Sequence, residues 1–559
     1  MVISHYCKSP CTYIELTAEI SKQLTEMTSI SSNNQSTNFT LQESVNVWRS
    51  RGGRQSCRTS AAFAFKSSFF GKKPLLLSVN KTRPGRALGP TGYSRLNPIT
   101  ASSRCHTFDV IIIGAGIIGL TIARQLLVGS DLSVAVVDKA VPCSGATGAG
   151  QGYIWMVHRT PGSEIWDLAL RSNKLWKMLA DSLRDQGLDP LQVIGWKQTG
   201  SLLIGRTPEE LVMLKERVKQ LCEAGLRAEY LSSSDLLQAE PELMVGEDSR
   251  AAFLPYDSQL DAMLAVAYIE KGNRHFASKG RYAEFYHDPV TCLLRSNSTG
   301  EVEAVQTSKN TLYSKKAIVV AAGCWSGSLM HDLLRETEIV LDIPVKPRKG
   351  HLLVLENFNS LKLNHASMEA GYVGHHDLTL HPGQVDHGQI LSISMTATTD
   401  AIGNLVLGSS RQFAGFNTEV EQTIIDRIWK RAAEFYPKLR DLCLADFISN
   451  RKVRIGLRPY MPDGKPVIGP VPGLSKVFLA TGHEGLGLSL IVHNFGPLFQ
   501  ALGTAELVAD MVLTNPLKVD SAPFAVQDQS ERSQHLSIPL VRSNLYCFSL
   551  PAMGFFLRY

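Results

Sequence analysis

The sequence predicts an α/β protein in which a Rossmann-type domain is combined with a second, mixed and mainly antiparallel domain, and three observations carry that expectation. Gly114, Gly116 and Gly119 follow directly on the apolar run 108–113, and Asp138 closes the next apolar run, 134–137. A third run, 315–323, is apolar from Ala317 on and ends in Ala-Ala-Gly, which suits a buried strand packed closely beside another. Between 340 and 450 the pattern changes to alternating strands at 351–355, 390–395 and 405–409, with one helix at 418–436.

The first block reads as strand, glycine turn, helix (120–127) and second strand ending in a carboxylate, the arrangement that receives a dinucleotide. Gly114 permits the tight turn, Gly116 lets backbone approach a pyrophosphate, and Gly119 lets the helix pack closely on the sheet. Ile117 and Ile118, between these glycines, are candidate cofactor contacts just before that helix, whose unpaired N–H groups face the anion. Asp138, with Lys139 after it, stands where a carboxylate accepts from a ribose hydroxyl.

Further along, residues 144–152 are small, and Ser144, Gly145, Ala149, Gly150 and Gln151 among them can bring backbone N–H groups close to a ligand. Apolar residues at helical spacing (Ile165, Leu168, Leu175, Leu179, Leu183) predict a helix over 164–186. A strand at 199–204 and a helix at 208–224 follow, and Asp261 is a suitable N-cap for a helix over 262–278. Ala322 and Gly323, at the end of the third run, suit close packing against a nucleotide.

With 559 residues, 44% hydrophobic and 19% charged, the chain can bury several cores. Its formal charge of +6 arises in the leader: from 44 to 108 there is no Asp or Glu, and residues 1–106 hold 14 of the 57 Lys and Arg but only 4 of the 51 acids. The remainder, with 43 basic and 47 acidic side chains, is mildly acidic, which excludes a folded basic face for nucleic acid. A Ser- and Arg-rich, acid-poor leader is the composition of an organelle transit peptide, for a chloroplast in first place and a mitochondrion as the alternative. The ten cysteines show no CxxC pair or disulfide spacing, which fits a reducing compartment. The apolar stretch 110–128 is explained by its glycines and Arg124 as strand, turn and helix, so no transmembrane segment is expected.

Four blocks together resemble one family: residues 114–119 with Asp138, 144–152, 319–326, and 454–459 continuing through 463–469 to 480–489. The chain from about 107 to 514 is similar to the flavoproteins of the D-amino acid oxidase and glycine oxidase superfamily. Residues 347–353 and 482–487 are most similar to the branch holding opine oxidase, cyanide-forming glycine dehydrogenase and D-amino acid dehydrogenase subunits. The resemblance implies FAD as cofactor, held by a glutathione-reductase-like domain made of 107–160, 245–338 and 452–515. It implies a substrate domain of 161–244 and 339–451, with 1–106 as leader and 516–559 as tail. Gly456 stands near where monomeric sarcosine oxidases carry the flavin-linking Cys, so FAD is expected without a covalent link.

The implied activity is oxidation of the C–N bond of an amino acid, N-alkyl amino acid or opine by hydride transfer to flavin. Oxygen and another electron acceptor both stay open. Arg458 matches the arginine that grips a substrate carboxylate through two parallel hydrogen bonds; Arg454 is a weaker candidate for that role and reads first as an ordinary ion-pair residue. His351 and Lys349 lie on a strand expected to cover the flavin; there His351 is a candidate to hydrogen-bond the substrate and Lys349 to place charge near the ring. His483 is expected to pack on flavin or to cap its turn. Gly482, Gly485, Leu486 and Gly487 open a helix over 488–513 whose positive end would face the ring. Tyr372, His375, His376, His381 and His387 form a polar cluster without the spacing of a metal site; it reads as a solvated or lid segment, and no metal is expected. Two rival readings are a flavin-binding scaffold without turnover and an NAD(P)-linked dehydrogenase.

Overall fold

A computed structural model describes residues 104–296, 298–335, 339, 341–373, 391–488 and 503–526. The leader before 104, His375, His376, His381, His387, residues 489–502 of the expected last helix and the tail from 527 lie outside the described residues.

The first sheet runs, from one edge, Val467–Val471, Leu474–Thr481, Asn310–Val320, Arg104–Ile113, Val134–Val137 and Tyr282–Phe285. All neighbours along this path from Leu474–Thr481 onward are parallel; the edge pair with Val467–Val471 is antiparallel, as are Val302–Thr307, which pairs with Asn310–Val320 off the path, and Val290–Arg295 beside it. A parallel sheet is covered on both faces, so its strands read as unbroken apolar runs: Val110, Ile111, Ile112, Val134, Val136, Ile318 and Val319 have no exposure at all. Ile112 lies opposite Val136 on one side and Val319 on the other, so the first turn, Asp138 and residues 321–323 leave the sheet at one end. Helix Ile117–Gly129 returns the chain between the first two strands and shares a core with helices Ala262–Arg274 and Gly503–Leu513 through Leu120, Ala123, Ile269 and Val508. The Asp261 carboxylate caps helix Ala262–Arg274 by accepting from the N–H groups of Met263 and Leu264.

The second sheet runs Arg451–Tyr460, Lys346–Leu355, Leu405–Arg411, Ser392–Thr399, Ala366–Glu369, Ser201–Gly205, Arg250–Leu254 and Glu229–Leu231. Only the pair Ala366–Glu369 with Ser201–Gly205 is parallel, so the sheet is mixed and mainly antiparallel. Helix Gln422–Phe435 closes one face, burying Ile424, Ile425, Ile428, Trp429 and Ala432 at spacings of one helical side. Each fully buried Ile or Leu there contributes roughly 1.5–3 kcal/mol. Two boundaries differ from expectation. Residues 250–254 and 452–460, placed by the resemblance in the nucleotide-binding part, belong to strands of this second sheet. Their partners lie about a hundred residues away or more for 451–460, and such pairings leave no local pattern in a sequence.

Candidate active site

Both sheets, the small-residue stretch 144–152 and the turn after Thr481 wall one cavity of about 410 Å³. Gly114, Gly116, Ile117, Ile118, Asp138 and Lys139 line it from the first sheet, Ser144, Gly145, Ala149, Gly150 and Gln151 from the small-residue stretch, and Ala322 and Gly323 from the third apolar run. Gly485 and Gly487 line it from the last loop, with His483. From the second sheet come Gly350, Leu352, Gly456 and Arg458. The four blocks, hundreds of residues apart in the chain, meet around a single volume.

The glycines divide by task. A Cβ on Gly114 would stand 2.3 Å from the Ala321 carbonyl oxygen and one on Gly119 2.0 Å from that of Gly114, so both are fixed by close packing of turn, helix and strand. Gly119 accordingly packs in the protein interior and is not a wall of the cavity. Gly323, Gly485 and Gly487 do line the cavity, and a Cβ on any of them would meet, among the described residues beyond its chain neighbours, no atom within 4 Å. They form a cradle open to backbone-close contact with a ligand. Gly116 N-caps helix Ile117–Gly129 with no side chain of its own; the Ile117 N–H donates to Thr147 Oγ1 at 3.3 Å, and the N–H groups that follow it in the first turn point to where an anion would sit. Asp138 accepts from the N–H of Ala115 and of Ala140, both at 2.7 Å, and keeps lone pairs for a hydroxyl. These features fit the diphosphate and ribose of a dinucleotide.

Gly482 sits at φ +81° under Met461, where it bends the chain into the last loop instead of lining the cavity. Of Leu486 only the main chain is described, in the short turn Glu484–Leu486. Trp176, fully buried on helix Trp166–Asp185, donates its Nε1–H to the carbonyl of Leu488 at 2.8 Å and so anchors the end of this loop.

At the second-sheet side stand the charged groups. Arg458 reaches along the cavity wall and donates from Nη1 to the Ser410 carbonyl at 3.1 Å. Burial lowers its pKa, partly offset by Tyr372, and the guanidinium remains charged. Tyr372 lines the same wall, with the Arg411 guanidinium 3.6 Å over its ring. Burial raises its phenol, but Arg411 and Arg458 together outweigh that and the net shift is downward. Glu484, at φ +44°, also lines the cavity and accepts from Arg348 at 2.5 Å. Tyr153 stacks on Trp155 at 3.8 Å between centroids and completes the wall.

Two expected residues sit differently. His351 is fully buried but turned to the opposite face of its strand, where Nδ1 meets Ser410 Oγ at 2.9 Å; its neighbours Gly350 and Leu352 are the ones that line the cavity. Lys349 follows the same alternation and pairs with Glu421 at 2.8 Å. Neither reaches a substrate in the cavity, so the expectation of a catalytic His351 is corrected by strand geometry. His483 does line the cavity, yet it is buried, hydrogen-bonded through Nε2 to Thr504 Oγ1 at 2.9 Å, and burial pushes its pKa down to about 3. It is a neutral ring near pH 7. Arg454, as expected, pairs with Asp400, at 3.5 Å. Tyr372, Glu484 and Tyr153 are cavity groups that the sequence did not single out for a substrate site.

Comparison with known proteins agrees with this geometry. The family model described as DAO, FAD dependent oxidoreductase, matches residues 109–493. Glycine oxidase of Geobacillus kaustophilus (strain HTA426) is 26% identical over 424 residues, covering 75% of this chain and 97% of that protein. Hydrogen cyanide synthase subunit HcnC of Pseudomonas aeruginosa is 25% identical over 456 residues, covering 75% and 95%. The crystal structure of glycine oxidase from Geobacillus kaustophilus superposes with a TM-score of 0.60 at 24% identity over 76% of this chain and 99% of that one. That of L-proline dehydrogenase from P. horikoshii gives 0.60 at 20% identity over 76% and 98%. The match to FAD chemistry displaces the NAD(P)-linked reading. With its glycine cradle and two-sheet cavity, the chain belongs to the DAO family of FAD-dependent oxidoreductases.

Proposed function

We propose that this protein oxidises the C–N bond of a small amine that carries a carboxylate: an amino acid, an N-alkyl amino acid or an opine. The observation that carries the reading is that Arg458 lines the same cavity as Gly116, Asp138 and the last glycine loop. FAD, when bound, supplies the hydride acceptor for the substrate Cα–H. The chain's own groups hold the substrate there. Arg458 offers a planar pair of N–H donors to the carboxylate, Tyr372 stands beside it, and Leu352, Tyr153 and the neutral His483 exclude water from the remaining wall. Glycine oxidase and D-amino acid dehydrogenase among the relatives, and L-amino acid deaminase among the similar structures, share substrates of this kind by name.

We also propose that the cofactor is held without a covalent link. Gly456 at the cavity wall has no side chain to offer, and Cys324, which does line the cavity, is held protonated by burial, its pKa pushed up to about 12. The basic leader is proposed to direct the protein to a chloroplast or mitochondrion, on composition alone. The test of function is a spectrum of the purified protein followed by anaerobic addition of D- and N-methyl amino acids and opines. Flavin absorbance that bleaches with one class supports the proposal. Bound FAD that no member of the panel bleaches, with Arg458 intact, contradicts it and favours a scaffold.

A further inference from the structure

We infer that Gly350 is a positioning residue for Arg458: the absence of a side chain at 350 is what allows the arginine to lie across its neighbouring strand with the guanidinium at a fixed place in the cavity. The inference rests on the reading of Arg458 as the carboxylate anchor. Strand Lys346–Leu355 runs between Arg451–Tyr460 and Leu405–Arg411, and in its register Arg348 is opposite Arg458 and Gly350 opposite Gly456. Arg458 nevertheless donates to the carbonyl of Ser410, which belongs to the strand beyond. To get there its side chain has to cross the middle strand. It crosses at Gly350, the diagonal neighbour, where a Cβ would stand 2.3 Å from Nη1 and 2.7 Å from both Cζ and Nη2. The three nearest atoms to that missing Cβ all belong to the one guanidinium.

Backbone conformation gives no other reason for glycine here, because Gly350 is not among the positive-φ positions that include Gly114, Gly323 and Gly482. The cost of a methyl group therefore falls on the position of a flexible side-chain end, not on the strand. A guanidinium resting on a bare backbone, with one N–H tied to a carbonyl, has its remaining donors aimed by the sheet. One pushed off that seat keeps its charge and loses its aim. Since the productive contact between substrate and hydride acceptor is roughly 3–3.5 Å, a displaced anchor misplaces the carbon that must react.

The experiment uses the holoprotein of wild type, Gly350→Ala, Arg458→Ala and the double variant. Each is titrated with acetate and with anthranilate, read through perturbation of the bound-flavin spectrum, and Gly350→Ala is crystallised. The expected result is unchanged FAD content and thermal midpoint in Gly350→Ala, carboxylate binding weakened on the order of 10- to 100-fold, and no further loss when Gly350→Ala is added to Arg458→Ala. Wild-type affinity in Gly350→Ala, additive losses in the double variant, or loss of FAD from Gly350→Ala would each overturn the inference. So would a crystal structure of that variant with the guanidinium still on the Ser410 carbonyl, whatever the probes do. If Arg458→Ala binds carboxylates as the wild type does, the anchor reading fails with it; if only Gly350→Ala does, the seat alone fails.

Discussion

Arg411 lies with its guanidinium carbon 3.6 Å over the ring of Tyr372, and that phenol shares a cavity wall with Arg458. The two cations hold the phenol below its usual value of 10.0 despite burial. Deprotonation puts a negative charge beside the proposed carboxylate anchor and opposes binding of an anionic substrate. Substrate affinity is expected to fall as pH rises through a limb lying below the ordinary tyrosine range, and Tyr372→Phe is expected to lose that limb. A profile of kcat/KM against pH for both proteins checks it; an alkaline limb that persists unchanged in the variant assigns it elsewhere.

The two helix glycines are expected to fail in different ways. Gly119→Ala places a methyl 2.0 Å from the Gly114 carbonyl oxygen, so the apoprotein itself should be destabilised by a few kcal/mol, typical of overpacking. In Gly116→Ala the methyl meets, among the described residues, only Thr147 Oγ1, at 3.4 Å, and otherwise faces the cavity. Its apoprotein should melt near the wild type while FAD binds more weakly. Thermal melts with and without added FAD separate the two; equal apoprotein melting for both variants would contradict this division.

Asp257 gives a pH signature of stability. It is fully enclosed, accepting from the N–H groups of Met156 and Val157 and from Ser201, and burial raises its carboxyl to about 6 against 3.8 in water. The folded state therefore binds a proton that the unfolded state releases between about pH 4 and 6, so this group makes stability fall as pH rises through that window, by on the order of 2–3 kcal/mol. Asp257→Asn cannot titrate. The difference in unfolding free energy between wild type and variant should change across pH 4–6 and be flat from 7 to 8; a difference flat throughout would show that folding leaves the titration of this carboxyl unchanged.

His483 behaves in the opposite sense. Its pKa, depressed to about 3 by burial, leaves it neutral above that value, so no step near neutral pH draws on its protonation. In His483→Asn, kcat/KM is expected to drop while the shape of its pH profile between 5 and 8 stays that of the wild type. An acid limb near 6.5 that vanishes in the variant would contradict this.

The glycine turn, Asp138 and the third apolar run were legible in the sequence because each rests on local chemistry: a turn that needs no Cβ, a carboxylate closing a strand, a strand buried on both faces; Arg458 was named through the family motif it resembles, and it lines the cavity. The sheet strand 346–355 was legible as a strand but not in its orientation. From Arg348 to Leu355 every residue on it is buried, so no alternation of polar and apolar residues tells one face from the other, and His351 was read onto the face that Gly350 and Leu352 occupy. Tyr372 was hidden by its neighbours, since a tyrosine followed by several histidines reads as solvated loop. Glu484 and the crossing of Arg458 over Gly350 depend on the pairing of strands 346–355 and 451–460, a register fixed by contacts about a hundred residues apart.

The most direct measurement is anaerobic flavin reduction by the best carboxylate-bearing amine, compared between wild type and Arg458→Ala at matched FAD content. Loss of one charge-assisted, two-pronged contact predicts an apparent substrate constant raised about 10- to 100-fold, with the flavin still bound because the groups placed around its diphosphate and ribose are untouched. Equal substrate dependence in the two proteins would remove Arg458 from the site and contradict the amine chemistry built on it.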